Sequence, residues 1–227
     1  MIVTRRRGIA GAAEATGTTA VIDVFRAFSA AAYALSAGAR SIVLAETVAE
    51  ATSLAESIPG AVLMGEVDGA QPEGFDVGNS PGEILADPGL VAGKVVVHRS
   101  TSGTTCARAA FANGASPLYV ASLVVASATA RALGRTHEVT IVAAGVAGRD
   151  LAAEDEICAD ILTELLLSGR ADVAAAAERV ADHPRADALR NAWFTHPDDI
   201  ALCTVGDRFD FAMEATEASG RLTVAQV

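Results

Sequence analysis

"TTAVIDVFRAFSAAAYALSAGARSIVLAE", residues 18–46, is the stretch that decides the fold. Residues 18–25 are apolar or β-branched around a single carboxylate and read as a buried strand. Residues 26–38 are rich in alanine and stop at Gly38, the pattern of a helix closed by a glycine. "SIVLAE" (41–46) is a second short apolar run. The reading extends outward in both halves. Thr47 and Glu50 stand three apart, as in a capping box, at the start of a helix over 47–58, and "AVLMGE" (61–66) is a third strand. "KVVVHR" (94–99), "LYVAS" (118–122) and "EVTIVAAG" (138–145) read as strands, separated by helices over 104–114 and 124–134. Strands that alternate with helices argue for parallel βαβ units covered on both faces.

The two runs match in order. Gly38-Ala39 falls in step with Gly114-Ala115, and Asp23 with Arg99. The spacing predicts an internal duplication, with halves at about 18–92 and 93–169 and a C-terminal extension over 170–227. The extension reads as two helices broken at Pro184, a short helix opened by Pro197, and two short strands around Ser219-Gly220. The expected fold is α/β: a three-layer α/β/α arrangement on a largely parallel or mixed sheet, two βαβαβ halves in one domain over 1–227.

Hydrophobic residues make up 51% of the chain and aromatic residues only 4%, so the core is expected to be built from small aliphatic side chains. No run of eighteen apolar residues occurs, and "MIVTRRRGIAGAA" holds no sustained apolar stretch after its arginines. Neither a membrane span nor a signal peptide is expected, and the expected compartment is the cytoplasm. Cys106, Cys158 and Cys203 are odd in number and far apart, which suggests neither a disulfide framework nor a zinc site. A net charge of −11 argues against a nucleic-acid partner. A small anion then needs a local positive field from metal ions, helix N-termini or a few arginines. Lys94 is the only lysine, which argues against Schiff-base chemistry.

Ligands of parallel sheets gather beyond the carboxyl ends of the strands. Here the strand ends run into Asp23 and Arg26, into Gly65-Glu66, into "RSTSGTT" (99–105) and into "AGVAGRDLAAEDE" (144–156). If the halves pack about a pseudo-symmetry axis, these ends meet in one cleft. Ser100, Thr101, Ser102 and Thr104, with the Gly103 backbone, precede a helix N-terminus and offer a cradle for phosphate or sulfonate; an ordinary helix cap reads the same way. The pattern is not that of a nucleotide P-loop. In "EGFDVGNSPGEI" (73–84), Ser80, Pro81 and Glu83 form a helix start, and Asp76 and Asn79 lie in the loop before it. Asp23, at the end of a buried strand, is costly unless it is paired, for instance with Arg26, or coordinated. Asp23, Glu66, Asp76 and Asp155 together suit a hard divalent cation, typically magnesium. His98 reads as a core histidine.

The order "VIDVFRA", "GE", "GFDVGNSP", "STSGT", "AGVAG", "EDEICAD" resembles the 2-phosphosulfolactate phosphatase family, the ComB-like proteins, over most of residues 18–165, and more weakly at "DRFDFAM" (207–213). The resemblance implies magnesium-dependent hydrolysis of a small anionic phosphoester, 2-phospho-3-sulfolactate to 3-sulfolactate and phosphate, on the route to coenzyme M. On this reading Asp23, Arg26, Glu66 and Asp155 are catalytic, and the metal lies among Asp23, Glu66, Asp76 and Asp155. Arg99, Ser100, Thr101, Ser102, Gly103, Thr104, Asn79 and Ser80 hold substrate. The residues do not distinguish attack by water from attack by an aspartate such as Asp23, although Phe25 stands where a haloacid-dehalogenase motif has its second aspartate. The chain departs from the family pattern at Phe28 (usually threonine), Ser102 (asparagine), Val67 (often arginine) and Asp160 (often glycine). Because these are chiefly anion-binding positions, two alternatives stand beside the family reaction: a phosphatase for another small phospho-hydroxy acid, and a non-catalytic anion-binding protein. A homo-oligomer is left open.

Overall fold

The structure is a computed structural model that describes all 227 residues. The strands are β1 (Ile2–Arg7), β2 (Gly17–Ile22), β3 (Ser41–Ala45), β4 (Val62–Gly65), β5 (Val95–Arg99), β6 (Ala115–Ala121), β7 (Glu138–Ala143), β8 (Met213–Ala218) and β9 (Arg221–Gln226). The helices are α1 (Gly8–Ala12), α2 (Ala27–Ser36), α3 (Val48–Glu56), α4 (Pro81–Ala86), α5 (Gly103–Ala112), α6 (Ala126–Leu133), α7 (Ala153–Ser168), α8 (Val173–Ala181), α9 (Pro184–Arg190) and α10 (Asp199–Cys203). The expected α/β class and mixed, mostly parallel sheet are found. The segment before β2, which the sequence reading left without structure, supplies an edge strand and a short helix.

All nine strands join one sheet in the order β1-β7-β2-β6-β8-β9-β3-β5-β4. It has two parallel wings, β7-β2-β6, extended at the edge by parallel β1, and β3-β5-β4, joined by the antiparallel β8–β9 hairpin. Each wing holds, at its centre, the strand that opens one run of βαβ units, flanked by two strands of the other run. The chain therefore crosses from wing to wing twice, through α2 after β2 and through α5 after β5.

Side chains alternate across the sheet as the strand period requires. Val21, Leu118, Val120, Ile42, Leu44 and Val96 face a core shared with α2 and α5. Ile22, Tyr119, Ala121 and Ile141 face α6, α7 and α8, while Val43, Ala45 and Val97 face α3. Helices thus cover both faces. The two crossover helices carry contacts to both wings, so α2 is buried from Ala27 through Leu35. That burial explains its run of alanines: small side chains let a helix approach neighbours on every side.

Along the hydrogen-bonded sheet the wings run in opposite directions, which on a flat sheet would put their carboxyl ends at opposite rims. Strand-to-strand twist is roughly 20–25° per step, and several steps separate β2 from β5. The coiled sheet brings the ends of β2, β7, β4 and β5 together at one place.

The hairpin that joins the wings is buried at Met213 and Val224. Met213→Ala should cost about 2–5 kcal/mol, read as a lower midpoint in urea unfolding. An unchanged midpoint would show that the wings hold together without the hairpin.

Candidate active site

The converging strand ends line a cleft of about 300 Å³. Asp23, Phe25 and Arg26 come from the end of β2, and Glu66, Asp68 and Gly69 from the end of β4. Thr101 and Ser102 follow β5, Gly145, Val146 and Ala147 follow β7, and Asn79 precedes α4. Arg185, Leu189 and Phe194 complete the wall from α9 and the loop after it.

Three of the carboxylates singled out from the sequence are buried here and held by backbone N–H groups. Asp23 Oδ1 accepts from Ala27 N at 3.2 Å, and Gly103 lies close against this carboxylate. Glu66 accepts from Thr101 N and from Gly69 N, the latter at 2.6 Å, and its Oε2 accepts from Thr101 Oγ1 at 3.1 Å. Asp155 accepts from Val24 N at 2.8 Å and Gly145 N at 2.9 Å. Burial first, and then the nearby Glu66 and Glu154 charges, push the Asp23 carboxyl up to about 7 against its hydrogen bond from Ala27 N. Burial, then the Asp23 charge, holds Asp155 well above the usual carboxylate range.

This geometry revises the expected cradle. Two N–H groups of the "STSGT" loop are taken by the protein's own acceptors: Thr101 N by the Glu66 carboxylate, and Thr104 N by Ser100 Oγ at 2.9 Å. The start of α5 is thus partly closed by the protein's own acceptors, and the cradle is narrower than expected. Gly103 is needed for the approach, since a Cβ there would lie 2.7 Å from Asp23 Oδ2. Ser100 and Thr104 are buried and bonded to one another, whereas Thr101 and Ser102 reach the cleft wall.

Three further expectations are corrected. Asp76 is exposed and accepts from Leu63 N at 2.8 Å. It completes the free edge of β4 and lies outside the cleft wall. Arg99 is spent on the carbonyls of Glu66 and Glu46 and on Thr101 Oγ1, which fastens the strand ends together. Ser80 caps α4 at Glu83 N and donates to Asp199 Oδ1 at 2.6 Å, also away from the cleft. Asn79, its neighbour, does line the cleft, and its Oδ1 lies 2.9 Å from His98 Nε2. His98 is fully buried, and burial pushes it down to about 3, so it stays a neutral support for Asn79.

Arg26 reaches the cleft, but its partner is Asp199, at 3.0 Å, and not Asp23. Its remaining contacts are the carbonyls of Phe194, at 3.2 Å, and Gly69, at 2.6 Å. The Phe194 ring lies 5.6 Å from the Arg26 guanidinium and close against Gly69, whose φ of +90° suits a residue without a side chain. Sequence reasoning missed Phe194, Leu189, Arg185 and the structural role of Asp199. The one available signal was the adjacent pair Trp193-Phe194 in a chain with few aromatic residues.

The donor set fits a hard cation in part. Asp23, Glu66 and Asp68 line the cleft, and both guanidiniums there are paired with other carboxylates, Arg26 with Asp199 and Arg185 with Glu154. No group of three or more His, Cys, Asp or Glu side chains is assembled for a metal. A magnesium ion would therefore take at most two protein carboxylates, Asp23 and Glu66, and complete its shell from water and phosphate, as that ion often does. Asp76 is remote, and Asp155 is committed to the backbone behind the wall.

The sequence profile of the 2-phosphosulpholactate phosphatase family matches residues 7–219, a span that includes every cleft residue. A probable 2-phosphosulfolactate phosphatase of Bacillus subtilis is 31% identical over 215 residues, which is 91% of this chain and 90% of that protein. Proteins of the same name from Deinococcus radiodurans and Thermus thermophilus are 41% identical over 150 residues and 42% over 149. Those matches take in 65% and 64% of this chain, and only 61% and 60% of the two relatives' lengths. With nearly its whole length matched, the chain belongs to the 2-phosphosulpholactate phosphatase family.

Proposed function

We propose that the chain is a phosphatase that hydrolyses a small anionic phosphomonoester in this cleft with magnesium, and that 2-phosphosulfolactate, named by its family and its relatives, is the substrate. The same reading takes in a single catalytic unit made of two related halves, a cytoplasmic reaction, and a route of the coenzyme M type. The observation that carries the proposal is the pair of carboxylates Asp23 and Glu66, at the ends of two strands and without a cationic side-chain partner, in a cleft of phosphoester size. A dianionic phosphate meets repulsion there unless a cation accompanies it.

A phosphomonoester resists attack because its oxygens repel a nucleophile, so catalysis consists mainly of positioning and charge neutralisation. Bound magnesium supplies Lewis acidity and neutralises phosphate oxygens. Asp23 and Glu66 hold it, each fixed by backbone N–H groups that leave other lone pairs free. His98 is neutral, and with its Nε2–H donating to Asn79 Oδ1 the Asn79 amide N–H groups, on a residue that lines the cleft, are left as donors for an oxyanion. Arg26 acts through shape: it ties the Gly69 turn to Phe194 and keeps the far wall in place.

Phosphate release from 2-phosphosulfolactate should require magnesium and stop with EDTA. Asp23→Asn should lower turnover by at least about 1,000-fold while the circular dichroism spectrum is retained. Near-normal turnover in that variant would remove Asp23 from the mechanism.

The raised Asp23 carboxyl gives a second test. Its value of about 7 lies above the unfolded aspartate, so its contribution to stability is present at low pH and is lost as pH rises through about 7. With EDTA present, melting temperature attributable to this group should fall as pH rises from about 4 to about 7 and level off above it. Magnesium binding must release the proton, so its affinity by calorimetry should be higher at pH 8 than at pH 6, approaching about tenfold per unit below 7. Asp23→Asn should flatten that dependence. Magnesium affinity that is independent of pH in the wild-type protein would contradict the assignment.

A further inference from the structure

Among the arginines that line the cleft, Arg26 and Arg185 differ in what their donors do. Both Nη atoms of Arg26 are bonded within the protein. Arg185 is held only at Nε, which donates to Glu154 Oε1 at 2.6 Å, and its Nη1 and Nη2 have no protein partner. Its side chain is 31% exposed, on the wall beside Val146 and Leu189.

The anchor is unusual. Glu154 is 2% exposed, and its Oε2 is buried without any hydrogen-bond partner. A buried carboxylate with one ion pair and an idle oxygen is costly for stability. It does, however, fix the Arg185 guanidinium at one edge and leave the other edge, a planar fork suited to an anion, turned to the cleft. The rest of the cleft lining is carboxylate-rich at Asp23, Glu66 and Asp68, so a substrate with two anionic groups has one orientation that avoids repulsion. The phosphate goes to the Asp23–Glu66 side with its cation, and the other anionic group goes to Arg185.

We propose that Arg185, oriented by Glu154, is the receptor for the non-reacting carboxylate or sulfonate of the substrate, and thus the residue that selects phosphorylated hydroxy acids over simple phosphomonoesters. This rests on the phosphatase reading above and specifies how that site chooses its substrate. Sequence position gave no hint of it, because Arg185 lies in the C-terminal extension, far from every motif.

The test compares 2-phosphosulfolactate and 2-phospholactate with p-nitrophenyl phosphate, which has no second anionic group. Arg185→Met should raise KM for the two phospho-acids about 10- to 100-fold more than KM for p-nitrophenyl phosphate, the loss expected for a charge-assisted contact. Arg185→Lys should fall between Met and wild type. Since the Met variant leaves Glu154 buried and unpaired, the Glu154→Gln/Arg185→Met double variant is measured alongside it and should show the same KM pattern with restored melting temperature. Equal KM changes for all three substrates, or a loss confined to kcat, would overturn the assignment. If the wild-type protein hydrolyses none of them, calorimetry with 3-sulfolactate separates the two ideas. Binding that weakens at least about tenfold in Arg185→Met supports the receptor even though the phosphatase reading has failed, and absent or unaltered binding overturns both.

Discussion

Everything at the cleft depends on one constraint: carboxylates placed at the ends of buried strands must be satisfied without a cationic side chain of their own. Asp23 and Glu66, at the ends of β2 and β4, and Asp155, in the first turn of α7, meet it with backbone N–H donors from the loops after β2, β4, β5 and β7. Val24 and Gly145 are joined through Asp155, which locks the ends of β2 and β7 side by side. Glu66 does the same for the loops after β4 and β5. The carboxylates are thus structural fasteners and cleft groups at once. Backbone donors stabilise a carboxylate but do not cancel its charge as a guanidinium would, and the remaining charge is what a cation can answer.

The architecture makes that convergence possible through small side chains. Two crossover helices, α2 and α5, have to lie against both wings of a coiled sheet. Their buried faces are chiefly alanine, with Phe28, Tyr33 and Leu35 filling the wider places. The edges are protected differently. β1 carries Arg5 and Arg7 paired to Glu156 on α7, and β4 has its free N–H at Leu63 closed by Asp76. Charged side chains and a bent loop on edge strands are usual defences against sheet-to-sheet association.

Much of this was legible in the sequence because it depends on local periodicity. The β-branched runs of β2, β3, β5 and β7, the glycine-ended helices and the caps at Thr47 and Ser80 all follow from short-range chemistry, and they are found. β1 was not legible: three consecutive arginines obscure the alternation of a strand whose outer side chains pair with α7. Nor was the strand order, since nothing local says that each crossover passes to the other wing or that the last hairpin enters the middle of the sheet. The site divides along the same line. Asp23, Glu66, Asn79, Thr101 and Ser102 could be found because strand ends are where ligands gather. Arg99 and Asp76 occupy equally suggestive positions, but a backbone acceptor in one case and a backbone donor in the other already claim their side chains.

The late segment was the least legible part, and its connection to the cleft runs through Asp199. This residue is fully buried and accepts from four donors: Ser80 Oγ, Gly82 N, Arg26 Nη1 and His196 N. A buried ion pair is tolerable only when its remaining lone pairs are satisfied, and here they are. The four donors come from α4 and its cap, from the end of β2, and from the loop that carries Phe194. One carboxylate therefore fixes the position of Arg26, and through Arg26 the Gly69 turn and the Phe194 wall. The strand ends make the floor of the cleft with backbone-held carboxylates, while the extension makes its roof with an aromatic ring and, at Arg185, a free guanidinium edge. The two are fastened at a residue that does not itself line the cleft, so a substitution there would reach the chemistry by moving the roof.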